Sequence, residues 1–204
     1  MKLPQIPHWR DKSRTERFLD AFIGSVWAAY AVLYLVSLFQ GTGWGNIGLF
    51  LFYTLVAFLF ISRRPARRTA PWWQTAVALL DALWPILWLR PTAMGYGIGQ
   101  ILQGAALLLM VTATFSLGFS FGIAPADRGL QTRGVYKYVR HPLYAGELLF
   151  YAGYLLSNFS WHNLLGLIVS LIMVRLRIHW EEQIIGEYDR YAQKVRWRLV
   201  PYVW

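Results

Sequence analysis

Apolar stretches of 16 to 24 residues alternate along this chain with short, arginine-rich links. Six stand out, at residues 18–40, 46–62, 72–89, 95–118, 143–158 and 163–180. At about 1.5 Å per residue, each is long enough to cross, or nearly cross, a hydrocarbon layer about 30 Å thick. The pattern predicts an all-α, polytopic helical membrane protein with about six membrane segments, five at the fewest. The first two segments close a tight hairpin through the glycine-rich link GTGWG (41–45), and the last two form a helical hairpin through FSWH (159–162). Segment 143–158 is short, so its ends lie near the headgroups. With no internal repeat, the chain reads as one membrane domain over 1–204. Membrane helices fill 1–118, and a loop, the final hairpin and a tail occupy 119–204.

Composition sharpens this picture. Hydrophobic residues make up 56% of the chain and charged residues only 15%, against about 25% charged in an ordinary soluble domain. The net charge of +10 first suggests nucleic acid, but the placement of the cations gives a simpler account. With the amino terminus in the cytoplasm, all 20 Lys and Arg except Arg90 fall on one side, as the positive-inside rule requires. No nucleic-acid partner is needed. Trp72, Trp73, Trp180, Trp197 and Trp204 suit an aromatic belt. The amino terminus lacks the apolar core of a removable signal peptide. The expected location is a bacterial or archaeal inner membrane, with both termini cytoplasmic. There is no cysteine, which excludes disulfides, thiolate metal sites and a cysteine nucleophile.

Two polar clusters remain after topology has accounted for the charges. One is RGVYKYVRHPLYAG (133–146); the other follows the last apolar segment, from Arg175 onward. They start from the same end of the final hairpin and can share a site. Arg175, His179 and Glu182 fall at helical spacings on one face, with Arg177 and Glu181 on an adjacent one. A solvated, salt-bridged helix end explains such a charge run just as simply. Pro142 biases His141 away from helical dihedrals and sets its imidazole at a helix start. His8 and His162 read as structural, and no histidine spacing favours a metal. GYGIGQ (95–100) lacks the strand of a dinucleotide loop, so Gly95 and Gly99 read as a close helix contact. Asp81 is either functional or a polar lock with Gln74, Gln100 or Gln103. Glu147 shares a helical face with Tyr144 and Tyr151.

Taken in order, RGVYKYVRHPLYAG, an apolar hairpin, the pair Glu181–Glu182 and EYDRYAQKVRWRLVP (187–201) resemble the isoprenylcysteine carboxyl methyltransferase and phospholipid methyltransferase superfamily of membrane methyltransferases. The resemblance covers roughly residues 119–201. It implies S-adenosyl-L-methionine as donor, bound at the cytoplasmic face between the loop and the tail. It also implies that Tyr136, Arg140, His141, Pro142, Tyr144, Gly146, Glu181 and Glu182 build the donor pocket, with Arg140, Glu182 and Arg175 closest to the chemistry. Tyr188 and Tyr191 match less diagnostic positions. The stretch EEQIIGEY (181–188) is about three residues shorter than in such proteins, close to one helical turn, so the tail's reach over the pocket is in question. The implied acceptor is lipophilic or lipidated: a prenylcysteine carboxylate, a phospholipid amine or a small thiol. Two other readings stay open, a binding or assembly protein that keeps the fold and a nicotinamide-dependent membrane reductase.

Overall fold

A computed structural model describes residues 9–40, 45–92 and 97–204. His8, most of the GTGWG link and Gly95 lie outside the described residues. Among the described residues the chain forms seven α-helices: α1 (Arg14–Phe39), α2 (Gly45–Ser62), α3 (Trp72–Trp88), α4 (Ile98–Leu117), α5 (Pro142–Ser157), α6 (Trp161–Ile184) and α7 (Tyr188–Lys194). Three are long and apolar enough to cross a membrane: α1, α4 with its short 3-10 extension to Ser120, and α6. The apolar part of α2, Asn46–Ser62, is shorter. Local chemistry sets the starts. Ser13 caps α1 by accepting from the Glu16 amide at 3.1 Å, and Ser160 caps α6 by accepting from Asn163 at 3.1 Å. Pro142 opens α5, where its missing N–H costs nothing. Pro85 sits inside α3 without ending it.

The neighbours differ from chain order. α1 packs along α2 and α3 against α6, while α5 takes α4 as its main partner rather than α6. Residues α5 and α6 do run through the expected short turn, but they are a hairpin by connection more than by contact. Small residues make the α4–α5 seam: a Cβ on Gly153 would stand 2.7 Å from the Gly99 carbonyl oxygen, and one on Gly146 2.6 Å from Met110. Backbones approach this closely only where side chains are absent. The core of the α1–α2–α3 half is Trp27, Val56, Phe60 and Ala78, reached by Phe121 and Ile123 from the long loop. Trp180, expected at an interface, is buried and meets Trp73 edge-on with ring centroids 5.2 Å apart.

At one end the helix termini are gathered by ion pairs. Asp20 of α1, fully buried, accepts from Lys12 at 2.7 Å and from the Arg63 guanidinium just after α2. Glu16 accepts from Arg128 at 2.9 Å and from the Ala66 amide at 3.0 Å. Two two-residue strands, β1 (Arg68–Thr69) and β2 (Ala126–Asp127), pair antiparallel and fasten the α4–α5 loop to the α2–α3 loop. In the bundle interior Asp81 finds its partners on α6: Arg177 at 2.6 Å and Ser170 at 3.4 Å. Gln103 instead donates within α4 to the Gly99 carbonyl. The polar lock exists, but with an arginine rather than a glutamine.

Candidate active site

The α4–α5 loop, the last turns of α6 and the tail line a cleft, open to solvent, with about 730 Å³ of empty space. The loop reaches it through turns that need glycine. Gly129 takes φ 93°, and Gly134, at φ 59°, has Ser116 Oγ 2.3 Å from the site of any Cβ. His141, held at φ −130° and ψ 59°, stands outside the helix as the N-cap residue of α5. Its backbone N–H and that of Arg140 each donate at 2.8 Å to the tail, at Arg198 and Trp197 respectively. Loop and tail are thus laced together at the RHP turn.

Five of the residues expected at the site line the cleft: Tyr136, Arg140, His141, Tyr144 and Glu181. Glu181 is the cleft's one carboxylate among the described residues. It accepts from the Tyr144 hydroxyl and lies 3.7 Å from His141 Nδ1. Tyr188 and Tyr191 complete the walls from α7. The Tyr188 hydroxyl meets His141 Nε2 at 2.9 Å, and Tyr191 donates to the Tyr136 carbonyl at 2.6 Å. Burial pushes the phenols of Tyr136 and Tyr188 above their ordinary range, with nearby carboxylates adding to the shift. Burial also pushes Tyr191 up to about 12. All three stay neutral at physiological pH, as apolar faces with one polar tip.

Four of the expected residues lie outside the lining of the cleft. Glu182 does not line the cleft. It accepts from Arg198 at 2.9 and 2.8 Å, from Arg140 at 3.1 Å and from Tyr188 at 3.2 Å, with His141 Nε2 at 3.4 Å. Such a saturated carboxylate organises its neighbours; it holds the tail down. Arg175 lies on the exposed face of α6, its guanidinium 4.9 Å from the Trp204 ring centre, and does not join the cluster. Its helical register points it away while Arg177, two residues on, turns inward. Gly146 faces α4 instead of the cleft. Pro142 is buried at the first turn of α5 and shapes the approach without lining it.

The stretch 181–188 brings the chain back onto the loop. α6 ends at Ile184, Glu187 takes the left-handed conformation at φ 61°, and α7 turns back onto the loop at once. The residues that sequence reasoning passed over are Arg128 and Arg198. Both belong to charge runs that topology already explained, so nothing in their spacing marked them. Arg128 lines the cleft, and its Nε, like that of Arg140, is buried without a hydrogen-bond partner. Unpaired buried donors are costly, and both belong to cleft-lining side chains.

Beneath the cleft lies a second pocket of about 840 Å³, walled by Trp27, Phe52, Tyr53, Phe150 and other apolar side chains of α1 to α5. Gly122 and Leu143 line both pockets. Arg177 lines the lower one, with its guanidinium 4.6 Å from the Tyr144 ring centre, and Tyr144 lines the upper one. A polar chamber and an apolar one therefore share a thin wall.

Fold and site together define a helical membrane protein with a polar cleft set over an apolar chamber. Residues 92–190 match the phospholipid methyltransferase family model, which lies in the membrane methyltransferase superfamily that also holds the isoprenylcysteine carboxyl methyltransferases. No curated protein matches the chain.

Proposed function

We propose that this protein crosses the membrane with six segments, takes S-adenosylmethionine from the cytoplasm into the cleft, and methylates a lipophilic acceptor that enters the apolar chamber from the bilayer. The observation that carries this reading is the pair of pockets sharing Gly122 and Leu143, one polar and tyrosine-lined, the other apolar.

The side chains fit the donor's groups. The unpartnered Nε–H groups of Arg128 and Arg140 suit its carboxylate, and Glu181 suits its cationic groups. The tyrosine faces suit a sulfonium at about 0.5 to 2 kcal/mol per ring. When bound, the donor supplies an activated methyl group, and the protein's task is to align it with a nucleophile. Positioning alone can lower such a barrier by several kcal/mol. In this reading Glu182 fixes Arg140 and Arg198, those fix the tail, and the tail keeps water from the wall between the pockets. Tyr144, fixed by Glu181 on one side and Arg177 on the other, forms part of that wall.

Calorimetry on the protein in lipid nanodiscs tests the reading with S-adenosylhomocysteine as probe. Binding near micromolar, about −8 kcal/mol, is expected for the unaltered chain, with loss in His141→Ala and Glu181→Ala. Absence of binding to intact, folded protein would overturn it.

A further inference from the structure

Arg128 lines the cleft with a side chain only 5% exposed, yet part of its guanidinium is unused. Nη1 is taken twice, by Glu16 Oε1 at 2.9 Å and by the Arg64 carbonyl. Nε is buried without a partner, and Nη2 makes no hydrogen bond among the described residues. Nε and Nη2 direct their N–H bonds along one edge of the guanidinium, the edge that grips a carboxylate with two parallel bonds. The same chain shows that grip elsewhere: Arg198 holds Glu182 through Nε at 2.9 Å and through Nη2 at 2.8 Å. Arg140 offers no such edge, because its Nη1 goes to Glu182 and its Nη2 to the Arg196 carbonyl. Gly122, another lining residue, leaves the flank of Arg128 clear, since a Cβ there would stand 3.5 Å from Nε.

The backbone of Arg128 is fixed from the loop: its carbonyl accepts from the Ser120 hydroxyl at 3.0 Å, and the residue before it pairs with Arg68 in the β1–β2 bridge. Its side chain is turned from α1. Glu16, in the first turn of that helix and 112 residues away in sequence, also accepts from the Ala66 amide at 3.0 Å, so it is itself anchored. Glu16 does not line the cleft. We propose that Arg128 reads the donor's carboxylate through its Nε–Nη2 edge, and that Glu16 is the positioning residue that aims it. The inference rests on the methyl-donor reading of the cleft. With Nη1 pinned, the free edge is held in one orientation before any ligand arrives, and such preorganisation raises affinity by cutting the cost of ordering on binding. The first helix of the chain thereby takes part in a site whose walls come from its second half.

Calorimetry on the full chain in lipid nanodiscs tests this, with S-adenosylhomocysteine and its decarboxylated analogue S-adenosyl-3-thiopropylamine as probes. The two differ only in the carboxylate, so the ratio of their affinities reads that one contact. The unaltered chain should prefer S-adenosylhomocysteine by at least about 30-fold. Arg128→Lys keeps the charge and loses the fork. That variant and Glu16→Ala should each cut the ratio about ten-fold, with the analogue's own affinity changing less than about three-fold. Combining them should cost little more than either alone, because the two side chains act as a unit. Lys12→Gln controls for a merely structural role: it breaks the neighbouring pair with Asp20 and should lower the melting temperature without moving the ratio. A ratio near one in the unaltered chain, a ratio unmoved by Arg128→Lys or Glu16→Ala, additive losses, or an equal fall in Lys12→Gln would each overturn the inference and leave the donor cleft standing. Failure of both probes to bind the unaltered, folded chain removes the donor reading as well. Should Glu16→Ala fail to fold, Glu16→Gln decides in its place. It keeps an oxygen for the Ala66 amide but gives up the charge-assisted bond to Nη1, so the ratio should fall at least about three-fold, and an unchanged ratio there would equally sink the idea.

Discussion

At the scale of single residues, neighbours in sequence divide the labour. Glu181 lines the cleft and Glu182 anchors the tail; Arg177 is buried and Arg175 is exposed. Glu182→Gln should therefore destabilise the folded protein by about 2 kcal/mol, because it leaves Arg140 and Arg198 without their shared charge. A lowered melting temperature in detergent, beside a smaller loss for Arg175→Ala, checks this. The phenol of Tyr191 gives a pH prediction. Its folded-state value near 12 exceeds the ordinary value of about 10, so the stability it contributes is complete below about pH 10 and is lost as pH rises through 12. Tyrosinate absorbance during alkaline titration should show a component near pH 12 that is absent in Tyr191→Phe. The RHP turn was legible in the sequence because proline and histidine constrain backbone and chemistry together. The exchange of roles between Glu181 and Glu182 was not, since adjacent residues on a helix differ by about 100° and only the tail's position decides which one faces the cleft.

At the scale of elements, hydrophobic runs located α1 to α6 to within a few residues, since lipid and core both demand them. What those runs left open was which helix packs on which. The α4–α5 pairing rests on where glycines meet carbonyls, and that depends on tertiary register. Gly153→Ala should destabilise by about 1 to 3 kcal/mol, because the new methyl would meet the Gly99 carbonyl oxygen on a rigid neighbouring backbone. Gly104, with nothing within 4 Å of its Cβ position, offers the contrast: Gly104→Ala should be stabilising by about 0.5 kcal/mol through helix propensity alone. Thermal unfolding of the two variants side by side separates packing from propensity. The two-residue β1–β2 bridge lay below what any periodicity can reveal, since two residues do not make a pattern.

At the scale of the whole molecule, every wall of the cleft lies on the arginine-rich end. If the positive-inside arrangement holds, a cysteine introduced at the cleft-lining position 131 is reached from the cytoplasmic side. In Gln131→Cys, where the chain offers no competing thiol, a membrane-impermeant maleimide should label inverted vesicles and spare intact cells, and S-adenosylhomocysteine should slow the labelling. Labelling from the outer face alone would reverse the assigned orientation.

The pairing of Asp81 with Arg177 also bears on how the chain enters the bilayer. The two side chains are 96 residues apart, so the carboxylate is synthesised and delivered to the membrane long before its counter-ion exists. A lone Asp or Arg at the centre of a helix costs about 2.5 to 3.5 kcal/mol on insertion, and each helix bears that cost until the other arrives. If α3 spans the bilayer as α6 does, docking of α6 on α3 removes both costs at once. On that arrangement the ion pair forms in an intramolecular step that follows synthesis of α6, and its order is set by the chain.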